Sequence, residues 1–217
     1  MKVILTGATG MVGEGVLLEC LDNPQVERVL VVSRKPCGIA HQKMSELVVD
    51  DFLRLEPRAE LAGYDACFYC AGISSVGMSE ADYTRITYDT VTHFAEVIVA
   101  LNPGMTMCHV SGRSTDSTEQ GKVMWARIKG RAENALMKMP FRAVYNFRPA
   151  FMQPTPGQRR VKPALRVGIV VLGPIFRALA PGSASTLKGV ARAMIKCVAV
   201  GAPKNILEVA DINALAA

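Results

Sequence analysis

Short apolar runs alternate along the whole chain with longer stretches in which apolar residues recur every three or four positions. The runs predict strands at Lys2 to Leu5, Arg28 to Ser33, Ser45 to Val49, Ala66 to Tyr69, Thr106 to Ser111 and Ala143 to Arg148, with a short last strand at Asn205 to Val209. The periodic stretches predict helices at Met11 to Leu21, Ala81 to Leu101, Gly121 to Met139 and Thr186 to Ala199. Strands that alternate with helices force a parallel sheet, because each crossover needs a helix to return the chain. The expected fold is therefore α/β, a doubly wound parallel sheet with a ligand crevice beyond the carboxyl ends of its strands.

The alternation fails after Pro149, where Pro154, Pro156, Gly157 and Pro163 break any regular element. Residues 150–185 are read as a small substrate-side cap within one domain spanning residues 1–217. Inside that region Val167 to Ala180 is mostly apolar, but it is too short to span a bilayer and contains Gly173-Pro174 and Arg177. A buried helix or pocket wall is the preferred reading. Peripheral contact with an acidic membrane, helped by Arg159, Arg160, Lys162 and Arg166, is the lesser one.

Composition narrows the class. A chain of 217 residues fits one domain, and 50% hydrophobic with 20% charged residues is a globular balance, which excludes a disordered chain. Lys and Arg exceed Asp and Glu by 25 to 19, a surplus suited to an anionic cofactor or a solvated surface, and no nucleic acid is expected as a partner. Cys20, Cys37, Cys67, Cys70, Cys108 and Cys197 form no disulfide framework. Cys67 and Cys70 make a C-x-x-C, yet they lie in a strand-like run where residues three apart face opposite ways, so neither metal nor redox chemistry is expected. His41, His93 and His109 lack metal-ligand spacing. No signal peptide precedes the first strand, and a cytoplasmic, reducing location is expected.

The chemistry begins where the first strand ends. Thr6-Gly7-Ala8-Thr9-Gly10-Met11-Val12-Gly13 leads from a strand into a helix, so glycine lets backbone N–H groups approach a pyrophosphate while the helix presents its positive end to the same anion. Gly7, Gly10 and Gly13, with Thr9 and Met11 between them, are the candidate cradle. About twenty residues further on, where an NAD-binding unit carries Asp or Glu for the ribose 2′-hydroxyl, the chain has Ser33, Arg34 and Lys35. A guanidinium there grips a 2′-phosphate, which favours NADP(H). After the third strand, Asp50 and Asp51 are placed either to accept from the adenine amino group or to cap the following turn. Cys70, Ala71 and Gly72 close the fourth strand with small residues that let a ribose pass near the backbone.

These segments resemble the short-chain dehydrogenase/reductase superfamily in its atypical, epimerase/dehydratase-like branch, with a Rossmann-like fold. Within it they look closest to the group named for the mammalian Tat-interacting protein. The resemblance rests on Thr6 to Gly13, Ser33-Arg34, Tyr69 to Gly72, Val110-Ser111-Gly112, Lys129-Gly130-Arg131-Ala132-Glu133 and Phe147-Arg148-Pro149, which together cover the first two-thirds of the chain. It implies that Ser111 hydrogen-bonds a substrate carbonyl or alcohol and that Lys129 holds the nicotinamide ribose. The tyrosine that would move the proton, four residues before Lys129, is replaced by Trp125. An indole N–H donates but has no acid–base chemistry near neutral pH. Substitute donors are sought among Arg113, Ser114, Thr115 and Asp116 after the fifth strand, and Tyr83 and Tyr88 after the fourth.

Two functions compete. The first is an NADP(H)-dependent oxidoreductase acting on an unknown small molecule, with Ser111 and Lys129 as catalytic residues. The second is a non-catalytic NADP(H)-binding protein whose nucleotide state governs association with a protein partner, and Trp125 favours it.

Overall fold

The computed structural model describes residues 1–161 and 184–217. Seven parallel strands form one sheet in the order β3-β2-β1-β4-β5-β6-β9, where β1 is Lys2–Thr6, β2 Arg28–Ser33, β3 Met44–Val48, β4 Ala66–Tyr69, β5 Thr106–Val110, β6 Ala143–Arg148 and β9 Ile206–Glu208. The doubly wound expectation holds, and the order reverses between β1 and β4. A separate parallel pair joins β7 (Phe151–Gln153) to β8 (Ala184–Thr186).

Helices cover both faces, as continuous apolar strands require. On one face α1 (Met11–Asp22) packs with the later helix α5 (Leu187–Val200), enclosing Val3, Leu5, Val29, Val31 and Phe68. On the other, α3 (Thr90–Leu101) and α4 (Met124–Met137) cover Ile4, Val32, Cys67, Met107 and Val144. A short α2 (Glu80–Thr84) runs into α3 through a π-helical turn at Arg85–Asp89, and a final α6 (Val209–Ala216) ends the chain.

Several boundaries differ from the expectation for identifiable reasons. The fourth helix begins at Met124, not Gly121, because the Asp116 carboxylate accepts the Gly121 N–H at 2.7 Å and holds that segment as a turn. β5 stops at Val110, which leaves Ser111 on the loop. β9 ends at Glu208, and a reciprocal cap between Glu208 and Asp211 starts α6 where apolar periodicity alone suggested more strand. The β7–β8 pair, α6 and the π turn were not anticipated. Of the expected cap at residues 150–185, the described part is the chain through Val161 and the start of β8. The apolar stretch Val167 to Ala180, with Lys162 and Arg166, lies outside the described residues.

Candidate functional site

The sheet order reverses at β1 and β4, so the turns leaving these two strands diverge and open a crevice between them, the usual place for a ligand in this class of sheet. Buried Thr6 at the end of β1 sets the crevice floor. Its hydroxyl oxygen accepts the backbone N–H groups of Cys70 and Ala71, each at 3.2 Å, and so ties the turn after β4 to the start of the glycine turn. Gly7 has φ +76°, and a Cβ there would lie 2.6 Å from the Cys70 carbonyl. Side chains are thus excluded where the two turns meet.

The glycines differ in what they do. A Cβ on Gly13 would fall 2.1 Å from the Gly7 carbonyl oxygen, so Gly13 lets α1 pack against the turn and does not line the cleft. Gly10 is the N-cap of α1, and a Cβ on it would meet only the Gly7 carbonyl oxygen, at 3.4 Å. Its other side is open. Met11, the first residue of α1, lies outside the cleft lining, and its carbonyl accepts the side-chain amide of Gln158 at 2.7 Å.

The cleft has a volume of about 1090 Å³ and is lined by Gly7, Thr9 and Gly10 at its centre and by Cys70, Ala71 and Gly72 across from them. Beyond β2, Ser33, Arg34 and Lys35 also line it. The Ser33 hydroxyl donates to the Lys35 carbonyl at 2.7 Å, closing the turn that presents Arg34. Arg34 is exposed and has no hydrogen bond or ion pair among the described residues. Asp51 lines the cleft while one of its carboxylate oxygens accepts the Leu53 N–H at 3.0 Å, so it caps the turn and keeps a second oxygen available. The structure therefore brings together Gly7, Thr9, Gly10, Ser33, Arg34, Lys35, Asp51, Cys70, Ala71 and Gly72 from distant parts of the sequence.

Ser111 and Lys129 form a second cluster at the end of β5, outside the lining of that cleft. The Lys129 ammonium donates to the Ser111 backbone carbonyl at 2.7 Å, and burial lowers its pKa while nearby Glu133 opposes the shift. The Thr115 hydroxyl donates to the Gly112 carbonyl at 2.7 Å, which leaves the 2.9 Å Ser111–Thr115 contact with the Ser111 hydroxyl as donor. Trp125 sits half-buried one helical turn before Lys129.

The loop carrying Ser111 is fixed from beneath by α4. A Cβ on Gly130 would lie 1.8 Å from the Asp116 carbonyl oxygen, so only glycine permits this approach. Glu133, fully buried, pairs with Arg148, which also donates to Ser117 Oγ at 2.6 Å. Alongside, His109 is buried and shares a 3.0 Å hydrogen bond with Asn146 Oδ1. Burial holds the His109 pKa down to about 4, and the imidazole is neutral at physiological pH.

Among the substitute proton donors, Asp116 accepts from the Thr118 hydroxyl and the Gly121 N–H, bonds that lower its pKa and commit it to the turn. Tyr83 is 1% exposed and burial raises its pKa. Tyr88 lies beneath the Arg131 guanidinium, 4.0 Å from its ring centroid. Only Thr115 touches the Ser111 hydroxyl.

Residues 3–120 match the NAD dependent epimerase/dehydratase family. The chain belongs to this family. The match takes in the glycine turn, the Arg34 turn and Ser111, and stops before Trp125 and Lys129. Two curated relatives are similar to this epimerase/dehydratase-family chain. The mitochondrial protein fmp52 of Aspergillus fumigatus is 27% identical over 89% of this chain and 85% of its own length. The leucinostatins biosynthesis cluster protein T of Purpureocillium lilacinum is 28% identical over 64% of this chain. The chain spans about half of that relative, 52% of its length.

Solved structures share the fold. Bordetella bronchiseptica WbmF in complex with NAD+ is 17% identical, with a TM-score of 0.63 over 98% of this chain and 76% of that one. A putative 2-deoxy-d-gluconate 3-dehydrogenase from Agrobacterium tumefaciens with bound NADP is 17% identical, with a TM-score of 0.63 over 98% of this chain and 96% of that one.

The residues present fit a nicotinamide dinucleotide. The open side of Gly10 at the first turn of a helix leaves room for a diphosphate, and a Cβ built on Gly72 would meet no described atom within 4 Å beyond its own chain neighbours. No helix among the described residues is long and apolar enough to cross a membrane. Sequence reasoning missed the far wall of the cleft, made by Arg85, Ile86 and Thr90 of the π turn and α3, and it missed Arg160, read there only as part of a basic stretch. A π turn leaves no local sequence signature, although such turns often mark functional sites.

Proposed function

We propose that this chain is an NADP(H)-dependent oxidoreductase of the atypical short-chain class acting on a small molecule, and that it belongs with the Tat-interacting-protein-like group. The observation that carries this reading is the end of the cleft after β2, where Arg34 and Lys35 have no carboxylate partner among the described residues, in the position that faces an adenosine ribose in this reading. A 2′-phosphate satisfies both cations, and a 2′-hydroxyl satisfies neither.

In this reading the backbone at Thr9 and Gly10 binds the diphosphate and the small residues Cys70 to Gly72 admit the ribose. Asp51 accepts from the adenine amino group with its remaining oxygen. Lys129 has three N–H donors and spends one on Ser111, which leaves two for the nicotinamide ribose hydroxyls. The Ser111 hydroxyl orients a carbonyl once it turns from Thr115. When bound, the nicotinamide supplies the hydride chemistry. Residues 150–185 serve as the substrate-side cap. Six unpaired cysteines accord with a reducing compartment, the cytoplasm.

A second reading keeps the nucleotide and removes the turnover. Trp125 stands where a proton-transferring tyrosine would be, and its neighbours Ser111 and Lys129 are donors already engaged with Thr115 and a backbone carbonyl. Such a site orients a ligand but holds no phenol at the Trp125 position to pass a proton, as suits a regulatory NADP(H)-binding protein that meets a protein partner. The test is NADPH oxidation over a panel of carbonyls and quinones. Turnover that Ser111→Ala abolishes supports the enzyme, and tight NADPH binding with no turnover on any acceptor supports the second reading. NADPH and NADH bound with equal affinity by the unmodified protein would overturn the cofactor assignment in both.

A further inference from the structure

The cleft holds a cation that reaches it from far along the chain. Arg160 lines the same end as Arg34 and Lys35, although 126 positions separate it from Arg34. One of its guanidinium nitrogens donates to the Cys37 carbonyl at 3.2 Å, three residues past Arg34. Arg160 is exposed and forms no ion pair among the described residues, although Asp50 and Asp51 line the same cleft. Among the described residues the Cys37 bond takes one of its five N–H donors and no other partner takes the remaining four.

What fixes Arg160 is a buried carboxylate. Glu14, in the first turn of α1, is 3% exposed and accepts the backbone N–H of Arg159 on Oε1 at 2.8 Å and that of Arg160 on Oε2 at 2.7 Å. Gln158 completes the clamp, donating from Nε2 to the Met11 carbonyl at 2.7 Å and accepting the Thr155 N–H at 2.6 Å. A carboxylate is costly to bury, and this one has no cationic side chain as partner among the described residues; the helix N-terminus and two backbone donors offset the cost. The clamp joins the helix that begins at the glycine turn to the pair Arg159–Arg160, of which Arg160 lines the cleft beside Arg34.

We propose that Arg160 is a second specificity-determining residue for the 2′-phosphate of NADP(H), acting with Arg34, and that Glu14 is the positioning residue that holds it there. This rests on the NADP(H) assignment of the cleft. The far segment thereby contributes to cofactor choice, which the glycine turn and the β2 loop alone do not settle.

The test titrates the full chain calorimetrically with 2′,5′-ADP and with 5′-ADP at fixed salt, for the unmodified protein and for Arg34→Ala, Arg160→Ala, Arg160→Lys and Glu14→Gln. A charge-assisted hydrogen bond removed from a phosphate weakens binding on the order of tenfold. Arg160→Ala should therefore weaken 2′,5′-ADP about tenfold, leave 5′-ADP unchanged, and be partly restored by Arg160→Lys. Glu14→Gln should lower the 2′,5′-ADP to 5′-ADP ratio in the same direction, a ratio that loss of packing alone would not move. A preference for 2′,5′-ADP that Arg34→Ala removes and Arg160→Ala leaves intact overturns this inference and spares the cofactor assignment. No preference in the unmodified protein overturns both.

Discussion

The cleft and the Ser111 cluster outside its lining are the two halves of the candidate site, and they are built from different materials. The cleft half is made mostly of backbone and of exposed cations. Gly7 and Gly10 shape it through main-chain approach, the Thr6 hydroxyl ties its two turns together, and Arg34 has no hydrogen bond or ion pair among the described residues. The half around Ser111 is made of side chains already bonded to one another. Lys129 holds the Ser111 carbonyl, Thr115 takes its hydroxyl, and Glu133 with Arg148 anchors the loop from below. A site of free donors and open space is prepared for a ligand of fixed shape, whereas a site of internally satisfied groups must give up bonds to bind. This contrast is why the nucleotide proposed for the cleft is more specific than the reaction proposed beside it.

The comparison can be broken most forcefully at its anchor. Glu133→Ala leaves Arg148 buried without its main counter-ion, and removing one partner of a buried pair costs about 3–5 kcal/mol. Urea denaturation should show that loss, and a variant within about 1 kcal/mol of the parent would mean that the loop does not depend on this pair.

The glycine turn offers a sharper contrast between neighbours. Gly10→Val should abolish NADPH binding, a loss of at least about a hundredfold, while the thermal midpoint stays within a few degrees, because the new side chain enters open space meant for the diphosphate. Gly13→Val should instead prevent folding, since its Cβ collides with the Gly7 carbonyl. Calorimetry and circular dichroism on the two variants would separate ligand space from packing space. NADPH retained by folded Gly10→Val would place the nucleotide elsewhere.

The Ser111 half is probed by restoring what it lacks. Trp125→Tyr puts a phenol one helical turn from Lys129, whose ammonium lowers the phenol's pKa toward the working range. General acid catalysis contributes about a hundredfold or more, so reduction of simple aldehydes or ketones should rise by that order. An unchanged rate across the panel, in a variant that binds NADPH normally, would show that the missing tyrosine does not limit this site.

The smallest effect concerns His109. Its pKa is about 4 folded and near the ordinary 6.5 unfolded, so between those values the unfolded chain binds the extra proton. Stability from this group is present above pH 6.5 and is lost as pH falls toward 4. Between pH 7 and pH 5 the loss should be about 2 kcal/mol, and His109→Gln should flatten that slope. Identical pH profiles for parent and variant would show that His109 titrates normally.

Much of the fold and the nucleotide cleft was legible because their causes are local. Strand runs bounded by turns predicted every strand of the main sheet, with Arg28–Ser33, Ala66–Tyr69 and Ala143–Arg148 correct to the residue. The glycine turn works through the positive φ of Gly7 and the missing side chains of Gly10 and Gly13, and the Arg34 turn follows from its place after β2. Helix starts were less legible. The extra length assigned before Met124 was apolar enough in pattern, but the Asp116 carboxylate competed for its N–H groups, and a competition across a loop has no periodicity.

What the sequence by itself determined is therefore the doubly wound α/β sheet and the glycine turn that leads from β1 into α1, both set by short-range chemistry. Only the tertiary structure decided that Arg160 reaches the Arg34 end of the cleft, that Gly13 and Gly130 make room for backbone, and that Ser111 spends its hydroxyl on Thr115. Each of these depends on groups brought within van der Waals or hydrogen-bond distance by packing on a common sheet. Spacing along the chain carries no record of such contacts, because their partners are fixed by the sheet order and not by the number of residues between them.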